Sequence, residues 1–140
     1  MTRIFWDTML FIYLLENNPK YFKQVNYLLE RSYKRRDELC TSCLAVSEVM
    51  AGAPDASGAR LARDVIARMG FRILAFDENC MEMFGRARSE FGIKAPDAIH
   101  LACAAAAGID LFLTGDKGLL NKRPRVPGIQ FIADFEYAPL

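Results

Sequence analysis

Short apolar runs alternate with longer segments of helical character along this sequence, and that alternation limits the fold more than any other feature. The runs are short and apolar, as expected of strands covered on both faces. They span residues 3–6, 39–45, 71–76, 110–116 and 129–135. The segments between them predict helices over residues 8–16, 19–36, 46–52, 53–70, 78–91 and 96–108. Strands that alternate with helices predict an α/β fold with a mostly parallel sheet flanked by helices.

The size of the chain suits one domain. It has 140 residues, of which 52% are hydrophobic, which is enough to build a core. We therefore expect a single domain over residues 1–140. No stretch of about 18 apolar residues lacks a charge, so no membrane span is expected. Asp7 interrupts the first apolar run and no small-residue cleavage site follows, unlike in a signal peptide. We expect a cytoplasmic protein, and the net charge of +1 says nothing about its partners.

The four cysteines fit that compartment. Cys40 and Cys43 form a C-x-x-C pair, but no second pair at zinc-site spacing accompanies them and His100 is the single histidine. Zinc sites usually need four such ligands. A strand over residues 39–43 would also send the two thiols to opposite faces. Both cysteines are therefore predicted to be small core residues.

Four acidic residues fall where a parallel sheet would bring them together. Asp7 and Asp116 directly follow the first and fourth predicted strands. Glu48 lies early in the helix after the second strand, and Asp97 begins the alanine-rich helix that leads into the fourth. Ligands of open α/β sheets bind outside the carboxyl ends of the strands. If the first and fourth strands are neighbours, these carboxylates converge and repel one another, which favours a bound Mg²⁺ or Mn²⁺ ion.

Such a site is typical of a hydrolytic nuclease. A bound divalent ion lowers the pKa of a water molecule and neutralises charge on a phosphodiester. Basic residues near the last acid would then hold the nucleic-acid backbone. These are Lys117, Lys122, Arg123 and Arg125. Hydroxyl groups beside the acids, on Thr8, Ser47 and Thr114, would orient carboxylates or metal-bound water.

Several of these residues also have ordinary structural explanations. Asp7 is equally suited to cap the helix that starts at Thr8, and Asp97 favours a helix dipole wherever it lies. Only the joint arrangement of the acids supports a nuclease. Asp77 follows a strand expected at the margin of the sheet and is predicted to be a helix cap. His100, alone in an alanine-rich helix, is predicted to be a hydrogen-bonded core residue.

Three segments together resemble the successive motifs of the PIN-domain family, particularly its VapC-type toxins. They are "FWDTMLFIYLLE", "SEVMAG" and "APDAIHLACAAAAGIDLFLTGDKGL". The resemblance runs from residue 3 to about residue 133 and implies a five-stranded sheet of order 3-2-1-4-5. It also implies a Mg²⁺- or Mn²⁺-dependent endoribonuclease acting on structured RNA, commonly transfer RNA.

The resemblance assigns roles to single residues as well. The four acids of the family map onto Asp7, Glu48, Asp97 and Asp116, and its hydroxyl residue before the last acid maps onto Thr114. Toxins of this family often form homodimers and are inhibited by a small cognate antitoxin. Those partners are expected here by resemblance alone.

Two positions depart from the family pattern, and other functions remain open. Met9 and Gly115 stand where many members have an asparagine beside an acid. A catalytically weak module that binds RNA or a partner is therefore one alternative. A phosphoacceptor receiver, suggested by Asp77 and Lys117, is another, but it needs paired acids after the first strand. A haloacid dehalogenase-type phosphatase needs D-x-D there, where residue 9 is methionine.

Overall fold

A single parallel sheet of five strands organises the chain. The computed structural model describes residues 2–140. The strands are β1 (Arg3–Trp6), β2 (Glu38–Ser42), β3 (Arg72–Leu74), β4 (Ile109–Thr114) and β5 (Ile129–Asp134). Their order is β3-β2-β1-β4-β5, and all neighbouring pairs are parallel. The predicted α/β class and strand order are confirmed.

Helices connect the strands and cover both faces of the sheet. They are α1 (Thr8–Leu15), α2 (Phe22–Arg35), α3 (Cys43–Ala51), α4 (Ala56–Arg68), α5 (Met81–Phe91), α6 (Ala95–Ala107) and α7 (Lys117–Lys122). Two 3-10 helices, Glu78–Cys80 and Phe135–Tyr137, precede α5 and follow β5. Among the described residues, no helix combines the length and apolar character that crossing a bilayer requires.

Alternation along β1 divides the interior into two cores. Ile4 and Trp6 point into one core with residues of α1, α2 and α3, whereas Phe5 points into the other with residues of α6. In the second core the Phe5 and Phe112 rings stack with centroids 4.6 Å apart. The alanines of α6 are largely buried, so this helix packs closely on the sheet. Burial on both faces explains why the strands are apolar without alternation.

The structure corrects the predicted boundary between the second strand and its helix. The prediction placed residues 39–45 in a strand, but β2 ends at Ser42 and Cys43 is the first residue of α3. The Ser42 hydroxyl accepts a hydrogen bond from the Ala45 amide, which makes Ser42 the N-cap. Cys40 is buried as predicted, but Cys43 is only partly buried and lies on a helix.

Three smaller features differ from what the sequence predicts. The spacing of apolar residues within residues 53–70 predicts that Leu61 faces inward on α4, yet it is 58% exposed. The helix predicted from residue 19 begins at Phe22, because the Asn18 side chain accepts hydrogen bonds from the Lys20 and Tyr21 amides and forms a turn first. The six-residue helix α7 was not predicted.

Candidate active site

The four predicted acids line one cleft at the carboxyl edge of the sheet. Asp7 follows β1 and Asp116 follows β4, and these strands are neighbours. Glu48 reaches the cleft from α3, and Asp97 from the first turn of α6. The cleft has a volume of about 440 Å³. Its other lining residues are Thr8, Met9, Ile12, Tyr13, Pro96, His100 and Gly115. The geometry brings together carboxylates that lie up to 109 positions apart, from residue 7 to residue 116.

Asp7 is the most firmly held of these acids. Its amide donates to the Leu113 carbonyl at 3.0 Å, which extends the pairing of β1 with β4. Its Oδ1 accepts from the Thr8 amide at 2.7 Å, and its Oδ2 accepts from the Thr114 hydroxyl at 2.7 Å. The two explanations of Asp7 are therefore compatible, since one carboxylate both caps α1 and lines the cleft.

Asp97 shows the electrostatic consequence of the convergence. Burial, the charges of Asp116 and Asp7, and a hydrogen bond with Asp116 together raise the pKa of its carboxyl from 3.8 to about 7. Asp116 itself caps α7, because its Oδ1 accepts from the Leu119 amide at 3.2 Å. The neighbouring acids thus lie close enough to oppose the ionisation of Asp97.

Glu48 is held at a single oxygen by two neighbours. Its Oε1 accepts from the Thr8 hydroxyl at 2.8 Å and lies 3.1 Å from Nε2 of His100. The imidazole of His100 is buried, and its Nδ1 lies 2.7 Å from the Ser42 hydroxyl. His100 is a hydrogen-bonded buried residue, as predicted, but the prediction did not connect it with an acid. The signal was its spacing, because a residue three positions after Asp97 shares a helix face with it.

The donor set fits a hard divalent cation by its chemistry. Four carboxylates border one cleft, and oxygen ligands of this kind suit Mg²⁺ and Mn²⁺. Within residues 2–140, no three His, Cys, Asp or Glu side chains are already arranged to hold a metal ion. A cation would therefore bind with some rotation of the acid side chains. Asp7, Asp97 and Asp116 are the residues that could hold it, with Glu48 beside them.

The three hydroxyl residues differ in what they contact. Thr114 donates to Asp7, and Thr8 donates to Glu48. Ser47 is not brought to an acid, because its exposed hydroxyl donates to the Cys43 carbonyl at 2.8 Å within α3. Only Thr8 and Thr114 are therefore placed to orient carboxylates in the way the sequence suggested.

The predicted basic residues differ in how near they lie to the acids. Lys122 lines a small pocket of about 60 Å³ with Asp97 and Asp116, and Lys94, which sequence reasoning passed over, lines it too. The Lys117 ammonium is paired with Asp134. Arg123 ends α7, and Arg125 lines a separate groove along β5. Lys122 and Lys94 are thus the cations that share a pocket with the acids.

The two departures from the family pattern have different structural settings. Met9 lines the cleft and is 41% exposed. At this position the cleft therefore lacks the asparagine side chain of the family pattern, as predicted. Gly115 also lines the cleft, but a Cβ there would lie 2.8 Å from a ring carbon of Phe135. The buried Phe135 ring fills the space that a side chain at position 115 would need.

Asp77, which suggested a receiver, does not line the acid cleft. Its carboxylate accepts from the Asn79 amide at 3.0 Å and caps the first 3-10 helix, as predicted. Lys117 is engaged by Asp134. Asp77 and Lys117, the two residues that suggested a receiver, therefore make structural contacts with Asn79 and Asp134.

Comparisons with known proteins agree with this fold. The profile of the PIN domain matches residues 4–124. Among solved structures, the fold is similar to a chain of VapBC2 from Rickettsia felis bound to a promoter DNA fragment, with a TM-score of 0.74 and 16% identity over 95% of this chain and 98% of that one. It is also similar to a chain of DNA-bound VapBC from Salmonella typhimurium, with a TM-score of 0.67 and 20% identity over 96% and 99%. A chain of a toxin–antitoxin complex from Klebsiella pneumoniae matches with a TM-score of 0.67 and 22% identity over 90% and 94%. No curated protein sequence matches this chain significantly.

Proposed function

The chain belongs to the PIN-domain family, and we propose that it is a Mg²⁺- or Mn²⁺-dependent endoribonuclease that hydrolyses RNA phosphodiester bonds as the toxin of a toxin–antitoxin pair. One observation carries this proposal: four carboxylates share one cleft, and their proximity helps to raise the pKa of Asp97 to about 7. Carboxylates crowded in this way are stabilised by a cation and are unfavourable without one.

Asp7, Asp97 and Asp116 would hold the cation, and Glu48 would bind it directly or through water. A divalent ion in such a site lowers the pKa of a bound water and stabilises charge that develops on the phosphate. Thr114 and Thr8 keep Asp7 and Glu48 oriented through their hydrogen bonds. Lys122 borders the acids and, with Lys117, Arg123 and Arg125, would bind the RNA backbone.

The partners proposed for this chain come from the family. The similar solved structures are toxin–antitoxin complexes, two of them bound to DNA. We propose that this chain likewise has a cognate antitoxin, that it forms a homodimer and that its substrates are structured RNAs such as transfer RNA. We also propose that residues 1–140 form a single PIN domain and that the protein is cytoplasmic.

The test is an RNA-cleavage assay in Mn²⁺ with the wild type, Asp7→Asn and Asp97→Asn. Both substitutions remove a carboxylate from the cleft while nearly preserving the shape of the side chain. We expect both to lose most of the cleavage activity. Asp77→Asn is the matched control, because Asp77 is also a capping acid after a strand but does not line the cleft. Equal cleavage by the wild type and both cleft variants would contradict the nuclease proposal.

One alternative function retains support from the departures at Met9 and Gly115. Without polar side chains at these positions, the domain could bind RNA or a partner and cleave weakly or not at all. In that case the wild type would bind RNA in a mobility-shift assay but would leave it intact in Mn²⁺. Asp7→Asn would then bind as tightly as the wild type.

A further inference from the structure

His100 lies at the centre of a hydrogen-bonded chain that ends at Glu48. The imidazole is only 2% exposed. On one side, its Nδ1 lies 2.7 Å from the Ser42 hydroxyl. On the other side, its Nε2 lies 3.1 Å from Oε1 of Glu48 and 3.6 Å from Oδ1 of Asp7. Three elements, β2, α3 and α6, are therefore linked through one buried ring.

The groups around the ring assign the direction of each hydrogen bond. Oγ of Ser42 already accepts from the Ala45 amide at 3.0 Å, so its own hydrogen is available to Nδ1. Nε2 faces two carboxylates, which only accept, and must therefore carry the hydrogen that points to Glu48. The chain runs from the Ala45 amide through Ser42 and His100 to Glu48, and every donor in it has an acceptor.

Glu48 needs such an anchor. Its side chain is 41% exposed, and an exposed glutamate on a helix samples several rotamers. Both of its hydrogen bonds, from Thr8 and His100, reach Oε1. No hydrogen bond within residues 2–140 uses Oε2, so that oxygen remains available to a ligand. The two contacts thus hold the carboxylate at one oxygen and present the other.

We propose that His100 is a positioning residue that, supported by Ser42, holds the Glu48 carboxylate over the cleft so that its second oxygen can bind the cation or its water. This inference rests on the proposed function, because it concerns how the same site is assembled. A hydrogen-bonding partner behind a metal ligand typically changes metal affinity or activity by about 10–100-fold when it is removed.

The experiment measures Mn²⁺ affinity by electron paramagnetic resonance in the absence of RNA. His100→Leu fills the same buried space without a donor, and we expect the dissociation constant to rise about 10-fold. His100→Gln can direct an amide donor toward Glu48, and we expect it to recover most of the loss. Ser42→Ala withdraws the donor to Nδ1 and also removes the N-cap of α3, the helix that carries Glu48, so its smaller expected rise is interpreted together with its melting temperature. Melting temperatures of each variant check that it is folded.

Repeating the substitutions in a Glu48→Ala background separates positioning from a general structural role. Without Glu48 there is no carboxylate to hold, so His100→Leu and Ser42→Ala should leave Mn²⁺ affinity nearly unchanged. The same loss in both backgrounds, or equal weakening by the Leu and Gln variants, would overturn the inference. Wild-type protein that binds no Mn²⁺ would overturn this inference and the proposed function together. Mn²⁺ binding without RNA cleavage would overturn the proposed function alone.

Discussion

The Thr114 hydroxyl donates a 2.7 Å hydrogen bond to Oδ2 of Asp7, across 107 positions of sequence. Both side chains are buried at the carboxyl ends of adjacent strands. The same hydroxyl oxygen accepts from the Asp116 amide at 3.1 Å. One side chain at the end of β4 therefore places two of the four acids, one through its carboxylate and one through its backbone.

Removing that donor should destabilise the protein. Thr114→Val keeps the shape and the β-branched character of the side chain but leaves Oδ2 of Asp7 without its partner. Hydrogen bonds to charged groups contribute about 1.5–3 kcal/mol, so we expect a loss of that size in the free energy of unfolding, measured by urea denaturation at neutral pH. Thr114→Ser keeps the hydroxyl and should lose clearly less. Equal stability of the valine and serine variants would show that the hydrogen bond contributes little.

The raised pKa of Asp97 predicts how stability depends on pH in the absence of metal. Its pKa rises from 3.8 to about 7 on folding, so between these values the folded protein binds more protons than the unfolded chain. Stability at this site is therefore fully present at low pH and is lost as the pH rises toward 7. Asp97→Asn removes the ionisable group and should melt higher than the wild type at pH 8 in a chelator, with the difference shrinking toward pH 4.

Two controls accompany that melting experiment. Asp64→Asn, on the exposed surface of α4, measures what removing a carboxylate does far from the cleft. Added Mn²⁺ should raise the melting temperature of the wild type more than that of Asp97→Asn, because a ligand stabilises the state that binds it. If the wild type melted above Asp97→Asn at pH 8 in chelator, the ionised Asp97 carboxylate would not be destabilising the folded protein.

Residues tied to strand ends were the predictable part of the site. Asp7 and Asp116 follow apolar runs directly, and parallel strands end at a common edge, so their convergence follows from the sheet alone. Asp97 and Glu48 needed the positions of two helices as well, and their place in the cleft followed once α3 and α6 packed beside β1. The strand order itself was expected from the family resemblance rather than from hydrophobic pattern.

The sequence did not predict the features that depend on tertiary packing. The helix α7 has six residues, too few to show an amphipathic repeat. The apolar run continues to residue 45, so hydropathy does not show where β2 ends. The start of α3 is marked instead by the hydrogen bond from the Ala45 amide to the Ser42 hydroxyl. His100 could be placed on the same face as Asp97, but its contact with Glu48 depends on how α3 and α6 cross. The contact of Gly115 with Phe135 joins residues 20 positions apart and leaves no local pattern.

That contact predicts the cost of a side chain at position 115. In Gly115→Ala, the new Cβ would lie 2.8 Å from the buried Phe135 ring, which must then shift. Overpacking of this kind costs about 1–3 kcal/mol, and we expect a loss of that size in the free energy of unfolding by urea denaturation.

Gly85→Ala is the matched control for the substitution at Gly115. Gly85 lies inside α5, and a Cβ there meets nothing within 4 Å. Alanine is favoured over glycine in a helix interior by about 0.5–1 kcal/mol, so this variant should be more stable than the wild type. If both alanine variants were stabilised, the Phe135 ring would not be restricting position 115.

The charge environment of Lys122 predicts that this residue contributes more to RNA affinity than Lys117 does. No ion pair within residues 2–140 includes Lys122, whereas the Lys117 ammonium is paired with Asp134. The Lys122 ammonium donates to the Gly92 carbonyl but has no carboxylate partner, so it gives up at most a hydrogen bond when it meets a phosphate, whereas Lys117 must give up an ion pair. In an Asp97→Asn background that prevents cleavage, Lys122→Ala should reduce the slope of log affinity against log salt concentration by about 0.7–0.9, as expected for one lost phosphate contact.

Lys117→Ala should reduce this slope less, and Lys23→Ala, on the exposed surface of α2, should leave it unchanged. Fluorescence anisotropy with a labelled RNA over a range of salt concentrations provides the slopes. If Lys122→Ala and Lys23→Ala gave the same slope as the parent, the RNA backbone would not cross the pocket that Lys122 shares with Asp97 and Asp116.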